Sequence, residues 1–506
     1  MTGPLRVASI DIGSNALRLL VAEARSPTDW TRLHRERAPV RLGHHTFLQG
    51  CLDPQATDHA VEALAGFAAT CQQLGVHRVR AVATSAVREA DDGRDFVKRV
   101  RKKTGLRVEA IDGAEEARLV HRAVRERVPL GERPWMLMDL GGGSLELALV
   151  DRQRIHWAES RRIGTVRLLE TYDQGDPVEM ANRIHEHIDS FQFLHHADAL
   201  DLDGLAATGG NINALAGLLG QSVRDGKPGR ISLDDLEHLR RELEAMTLEE
   251  RMEAHGFRPD RADVIVPAAM VYERVARLAG ATHIHVPGWG LREGVLLDQL
   301  DRHYQPDLRR TELELTVEEA ALRLGRTFRF DEPHGAHVAD LALRVFDATA
   351  SLHGFDAKER RVLHAAALLH DVGKCITDKG HHKHSQYLID NAELLGLRRR
   401  EHHLCAMVAR YHRKALPQAH HKGYRLLKRK DVNRLHGLSA ILRVADGLDK
   451  RHLQAVTDVS VDVQKTGTTI QVDGRGDLAL ETWAATKKAD LWAKHFGPVT
   501  VQRRQA

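Results

Sequence analysis

The sequence predicts two α/β domains, then an all-helical domain, then a small α/β tail. Three observations predict this. Two short runs, Ile10-Asp11-Ile12-Gly13-Ser14-Asn15 and Asp139-Leu140-Gly141-Gly142-Gly143-Ser144, share one design 128 positions apart. From about residue 305 the strand signal stops and helical patterning runs through Arg451. From Val456 to Val472 alternation returns, with Val459, Val461 and Val463 on one face. The division that follows is 1–122, 123–304, 305–452 and 453–506.

Each of the two runs follows an apolar strand-like stretch (Leu5 to Ile10; Trp135 to Met138) and leads into another (Leu17 to Val21; Leu145 to Val150). A strand ending in Asp, a tight Gly/Ser turn and a returning strand make a hairpin with bare N–H groups at its tip. Glycine lets an anion approach closely, and successive N–H groups form an anion nest. The adjacent Asp suits Mg²⁺. Two such hairpins predict a duplicated fold with phosphate between its halves.

The rest of the first two domains follows in order. Val79 to Ala83 reads as a strand, followed by Thr84-Ser85-Ala86 and a helix carrying Arg88. The strand Arg107 to Ile111 runs through Asp112-Gly113 into a helix over Ala114 to Arg127. Three strands fill Trp135 to Ser160, and another ends at Ala207. There Thr208-Gly209-Gly210-Asn211 opens a helix, Ile212 to Leu219, whose N-terminus is a ready anion site. His283 to Val286 is a strand, with a helix from Leu291. In the tail, Thr482 to Phe496 reads as one helix.

Composition narrows the class. The 506 residues are 42% hydrophobic and 28% charged, as in a soluble globular protein. No apolar run approaches the ~18 residues of a membrane span, and the N-terminus lacks a signal-peptide pattern, so a cytoplasmic protein without a membrane partner is expected. Cys51, Cys71, Cys375 and Cys405 lack metal or redox spacing and are expected to be reduced. The net charge of +4 is unevenly spread: Arg398 to Arg434 holds twelve Lys or Arg against Glu401 and Asp431. This predicts a polyanion track that includes Arg425, Lys428 and Lys430. Few aromatics interleave it, which favours phosphate contact over base stacking, so no specific nucleic-acid partner is expected.

Asp11 to Asn15, Asp139 to Glu146 and Thr208 to Asn211 resemble the phosphate and glycine motifs of the actin/Hsp70/sugar-kinase superfamily, which implies two ribonuclease-H-like domains facing across a cleft. More narrowly, Asp11-Ile-Gly-Ser-Asn15, Ala83-Thr-Ser-Ala-Val-Arg88, Glu115-Glu-Ala-Arg-Leu119 and Asp139-Leu-Gly-Gly-Gly-Ser-Leu-Glu146 resemble the exopolyphosphatase and guanosine pentaphosphate phosphohydrolase family. The resemblance implies Glu116 as the catalytic carboxylate that orients water. It implies Arg88 as a phosphate clamp and Asp139 and Glu146, with Asp11 assisting, as Mg²⁺ ligands. Ser14, Asn15, Gly142, Gly143 and Ser144 would donate to phosphate. Gly209, Gly210 and Asn211 would line the path of the polymer. It also implies a homodimer. Inorganic polyphosphate is the leading substrate and guanosine pentaphosphate (pppGpp) the runner-up at the same site. A sensor that binds without turnover is the reading from another class.

The helical domain carries a second constellation. His334, His370-Asp371 and Asp446 resemble the His…His-Asp…Asp pattern of the HD-type phosphohydrolase fold. Two imidazoles and two carboxylates suit a borderline divalent ion. His337 is a rival for the first position, and His384 and His412 are candidates for a second metal or for phosphate contacts. Many long members of the resembled family lack these ligands; this chain keeps all four.

Overall fold

The computed structural model describes residues 4–171, 177–191, 201–221, 223, 228–392 and 394–504. They form two compact units, Met1–Glu312 and Leu313–Ala506.

The first unit holds two sheets of one topology. Strands β1 (Leu5–Ile12), β2 (Leu17–Ala24), β3 (Trp30–Ala38), β4 (Arg78–Ala83) and β5 (Val108–Ala110) are ordered β3-β2-β1-β4-β5. Strands β6 (Trp135–Leu140), β7 (Leu145–Val150), β8 (Ile155–Arg161), β9 (Gly204–Thr208), β10 (Gly229–Ser232) and β11 (His283–Val286) are ordered β10-β11-β9-β6-β7-β8. Read from β8, the second order repeats the first and adds β10 at the far edge. In both, the first three strands pair antiparallel and the next two add in parallel. β1 and β6 are central and sheathed on both faces, which is why they read as near-continuous apolar runs rather than alternations.

Two helices bind the sheets together. Asp112 caps the helix Gly113–Val124 by accepting from the N–H of Glu115 at 2.9 Å. The helix Leu291–Tyr304 crosses it so closely that a Cβ at Gly294 would lie 1.9 Å from the Leu119 carbonyl oxygen. From the same helix Gln299 donates to the Ala8 carbonyl of β1 at 2.9 Å.

The division between units falls inside the helix Pro306–Thr327. Its first turns stay with the first unit: Arg309 reaches Asp298 at 3.0 Å and Glu312 accepts from Arg125 at 2.9 Å. The second unit contains the helices Glu332–Ala348, Ala357–Leu369, His381–Asn391, Arg399–Arg410 and Arg429–Gly447. The sheet of β12 (Val456–Gln464), β13 (Gly467–Gly474) and β14 (Val499–Arg503) follows in that order. The tail joins the helices intimately, since a Cβ at Gly447 would lie 2.5 Å from the Ala485 Cα.

The single helix expected over 482–496 is two, Ala479–Lys488 and Asp490–His495. Asp490 turns its carboxylate back to the N–H of Leu491 at 2.8 Å and takes Arg443 at 2.6 Å, so it starts a new helix instead of continuing the old one. All four cysteines are free thiols. Among the described residues no helix is long and apolar enough to cross a membrane.

Candidate active site and a second metal-ligand cluster

The two hairpin tips meet. A Cβ at Gly142 would lie 3.1 Å from that of Ser14 and 3.3 Å from the Asn15 nitrogen. A Cβ at Gly143 would lie 2.3 Å from both Phe47 Cζ and Ser85 Oγ, so only glycine fits there. The tip is held from behind: the carbonyls of Gly141 and Gly142 accept from the N–H groups of Thr165, Val166 and Arg167, and Arg167 Nε donates to the Gly143 carbonyl at 2.8 Å. With its carbonyls engaged this way, the tip can offer N–H groups to an anion. On the opposite tip, Ser14 Oγ lies 3.0 Å from Ser85 Oγ.

Beside the tips stands a carboxylate cluster. Glu116, Asp139 and Glu146 each present an oxygen within 4.8 Å of the others. Asp139 and Glu146 are register partners across β6 and β7. Glu116 comes from the first turn of the Gly113–Val124 helix, which approaches β8 so closely that a Cβ at Gly113 would meet Ser160 Cβ at 2.5 Å. Thr208 Oγ1 donates to Asp139 at 2.6 Å, Ser160 Oγ to Glu146 at 2.8 Å, and Arg88 to Glu116 at 3.3 Å.

Burial, and then the charge of Glu146, raise the Glu116 carboxyl well above its ordinary range, with Arg88 opposing. Burial and then Asp139 push Glu146 up to about 7. Burial likewise raises Asp139, against the Thr208 hydroxyl bond. Three desolvated acids facing one guanidinium are short of positive charge. Their all-oxygen donor set fits a hard divalent cation such as Mg²⁺.

The equivalent pair on the first hairpin is Asp11 and Arg18, partners across β1 and β2, joined at 3.1 Å. Asp11 thus lies outside the tight triad, already paired, although its charge is felt by Glu116 and Asp139. Ser144 hydrogen-bonds Glu146, and Asn15 Nδ2 donates to the Asp260 carbonyl at 3.1 Å.

Gly209, with φ +114°, turns β9 into the helix Gly210–Leu218. Two arginines that sequence reading missed flank this turn. Guanidinium nitrogens of Arg261 and Arg18 lie 2.7 and 3.2 Å from where a Gly210 Cβ would be, and Arg261 also donates to Asn211 Oδ1. Nothing in local pattern marks either arginine; Arg18 becomes recognisable only through its register with Asp11.

In the second unit, His334, His370, Asp371 and Asp446 converge. His334 Nε2 lies 3.8 Å from Asp371 Oδ2 and 4.0 Å from Asp446 Oδ1; His370 Nε2 lies 3.7 and 3.8 Å from the same atoms. His334 rather than His337 stands in the group. Asp371 also joins a second group with His381 and His412, at 2.9 and 3.4 Å from its Oδ1. His381, not the expected His384, stands in this group; the His384 Cβ lies against Gly373. Three histidines within 381–384, broken only by Lys383, hid which one faces inward.

In the basic stretch, Arg400 and Arg434 are drawn to Asp431 at 2.5 and 3.1 Å. Arg425, Lys428 and Lys430 are exposed. Arg425 sits in the turn Tyr424–Leu426, while Lys428 and Lys430 open the helix Arg429–Gly447.

Comparisons with known proteins agree along the chain. Residues 20–303 match the model of the Ppx/GppA phosphatase family, and residues 317–487 match Ppx/GppA phosphatase, domain III. Exopolyphosphatase 1 of Mycobacterium leprae is 30% identical over 305 residues, 59% of this chain and 90% of that protein. The guanosine-5′-triphosphate,3′-diphosphate pyrophosphatase of Photobacterium profundum is 25% identical over 421 residues, 82% of each. Among solved structures, an exopolyphosphatase from Cytophaga hutchinsonii superposes with a TM-score of 0.55 at 30% identity, covering 59% of this chain and 98% of that one. The Aquifex aeolicus member gives 0.52 at 26% identity, covering 59% and 99%.

Proposed function

Because the chain belongs to the Ppx/GppA phosphatase family, and is therefore a phosphoric anhydride hydrolase, we propose that it releases terminal orthophosphate from inorganic polyphosphate. The observation that carries this reading is the triad Glu116, Asp139 and Glu146 beside two apposed hairpin tips. Asp139 and Glu146 would hold Mg²⁺, whose charge, when bound, offsets that of the phosphate oxygens. The N–H groups of the tips cradle the terminal phosphoryl group, and Arg88 clamps an oxygen. Glu116 orients the attacking water and takes its proton. Its raised carboxyl range suits a base that must work near neutrality once a cation shares its site.

Gly209, Gly210 and Asn211, with Arg18 and Arg261 beside them, would carry the next phosphates of the chain. In the second unit the order His334, His370-Asp371, Asp446 supports an HD-like fold, and Arg425, Lys428 and Lys430 would bind distal polymer. The four-part division at 122, 304 and 452, a cytoplasmic setting and a homodimer complete this reading.

Hydrolysis of pppGpp at the same site is the second reading. It is favoured by the Photobacterium pyrophosphatase, whose likeness extends over 82% of the chain, beyond the first unit. The test is phosphate release with Mg²⁺ from long polyphosphate and from pppGpp at matched concentrations, for wild type and Glu116→Gln. Faster release from polyphosphate that disappears in the variant supports the leading reading. Preference for pppGpp supports the second, and release that survives Glu116→Gln removes Glu116 from its role. Tight binding of either compound with no release by wild type would favour a sensor.

A further inference from the structure

Three side chains outside both clusters described above come together behind the phosphate tips. His44 and His45 precede the short helix Thr46–Gln49, and Glu170 lies on the helix Thr165–Thr171. A ring nitrogen of each histidine and a carboxylate oxygen all lie within 4.8 Å of one another. His44 Nδ1 stands 3.1 Å from Glu170 Oε1. Two ligands held ~2.1 Å from one tetrahedral ion are about 3.4 Å apart. Neighbouring side chains diverge in a strand and do not face each other in a helix. Here His45 adopts the left-handed region, φ 60°, and the two ring centroids lie 3.8 Å apart.

Hydrogen bonding within the cluster does not account for it. The Glu170 side chain is 7% exposed, although that of His44 is 51% exposed. Glu170 Oε1 takes the His44 ring and the His45 N–H, but Oε2 is buried and has no hydrogen-bond partner. Among the described residues the one ion-pair partner of this carboxylate is His44. Arg167, one turn earlier on the same helix, is engaged by Glu89 and by the Gly143 carbonyl. A desolvated carboxylate with an orphaned oxygen is costly. Two surface histidines hydrogen-bonded to a glutamate leave Oε2 unexplained. A cation shared by the three side chains explains it.

We propose that His44, His45 and Glu170 bind a borderline divalent cation such as Zn²⁺, and that the bound ion is a brake on the phosphate tips. Two imidazoles and one carboxylate, with a further position open to water on the exposed His44 side, suit Zn²⁺, Co²⁺ or Ni²⁺. They do not suit the Mg²⁺ that the all-oxygen triad fits. The brake rests on the proposed function; the metal site does not.

The brake follows from what each ligand is tied to. On one side, the N–H groups of Gly43 and Arg41 donate to the carbonyls of Ser14 and Asn15 at 2.7 and 3.2 Å, which fastens the histidine loop to the first tip. On the other, the helix that carries Glu170 holds the second tip through the N–H groups of Thr165, Val166 and Arg167. Between the two, the Arg167 guanidinium lies 3.8 Å from the Phe47 ring centroid, and that ring abuts Gly143. An ion shared by His44, His45 and Glu170 therefore ties the backing of one tip to the backing of the other. The tips already nearly touch, since a Cβ at Gly142 would lie 3.1 Å from that of Ser14. A phosphoryl group enters between them only when they part, and the ion resists that parting.

The test uses full-length protein without an affinity tag, stripped of metal by a chelator and titrated with Co²⁺. Metal content and visible absorption are read for wild type, for Glu170→Gln and for the double variant His44→Ala, His45→Ala; far-ultraviolet circular dichroism checks that each is folded. Ions held by the other two clusters are common to all three proteins and cancel. Wild type should hold one more Co²⁺ per chain than either variant, with a tetrahedral absorption band that both lack. Equal content and equal spectra overturn the site. Phosphate release from tripolyphosphate is then followed at saturating Mg²⁺ with rising Zn²⁺. Filling the site should lower wild-type release by at least about tenfold and leave the double variant within about twofold. Equal inhibition of the two proteins would mean that Zn²⁺ displaces Mg²⁺ at the triad, and no inhibition would mean that the tips part freely; either overturns the brake and leaves the site. If wild type releases no phosphate even without Zn²⁺, the proposed function fails and the brake with it, while the Co²⁺ count still decides the site.

Discussion

Glu115 and Glu116 are neighbours in the first turn of one helix, yet their environments drive them in opposite directions. Glu115 accepts from Arg118 and Arg80 at 2.7 and 2.8 Å. Burial alone would raise its carboxyl, but Arg118 and then Arg80 hold it down at about 2. Glu116, one residue on, faces two other acids and rises. We expect Glu116→Gln to lower phosphate release by about 10²–10⁴-fold with little change in melting temperature, as for loss of a general base. Glu115→Gln should do the reverse.

The neighbouring Asp298 makes the structural side of this contrast measurable. It is 1% exposed and takes Arg80, Arg118 and Arg302 at 2.8 Å and Arg309 at 3.0 Å. Burial would raise its carboxyl; Arg118, Arg302, Arg309 and Arg80 together hold it well below the ordinary range. A depressed folded-state value means the stabilisation is present above the unfolded value of about 3.9 and fades as pH falls through the folded one. Asp298→Asn should cost about 3–5 kcal/mol at neutral pH, because it leaves buried guanidinium groups without their anion. Urea unfolding of both proteins should show that gap narrowing below about pH 4. A gap independent of pH would mean the carboxylate charge is not what holds the four arginines.

At the scale of elements, the two hairpins were legible in sequence because a strand, an Asp and a glycine turn compress into six residues each. Their difference was not. The partner of Asp139 is Glu146 and the partner of Asp11 is Arg18, and only cross-strand register reveals that one hairpin is acidic and the other self-neutralised. His381 and Arg261 were missed for the same reason: their roles depend on which way a side chain faces after packing, which periodicity does not encode. The helix break at Ala489 escaped because Asp490 is unremarkable until Arg443 arrives to pair with it. Glycine 143 tests the tip itself. Gly143→Ala drives a methyl group into Phe47 and Ser85. We expect about 1–3 kcal/mol of destabilisation, the usual range for overpacking. KM should rise more than kcat falls, because on the proposed mechanism the tip positions phosphate and does not supply the base. A kcat collapse at unchanged KM would place the tip in the chemical step instead.

At the scale of the whole molecule, the carboxylate triad belongs to one compact unit and the exposed Arg425, Lys428 and Lys430 to the other. On the proposed function, a long polyphosphate held at the first site and by the basic stretch would make its second contact at a high effective concentration set by the polymer itself, which a short substrate would not gain. Reversal of Arg425, Lys428 and Lys430 to Glu changes formal charge by six, in the unit that does not carry Glu116. Apparent affinity for long polyphosphate should fall by at least about tenfold, with a shallower dependence on salt, since each lost phosphate contact removes a share of counterion release. Affinity for tripolyphosphate should stay within about twofold, because a substrate confined to one site gains nothing from the track. Measured as KM against chain length at two salt concentrations, the wild-type and variant curves should converge at short lengths and separate at long ones. Equal weakening at every length would mean that these cations act through the fold or through bulk potential, and the basic stretch would then revert to a solvated helical face.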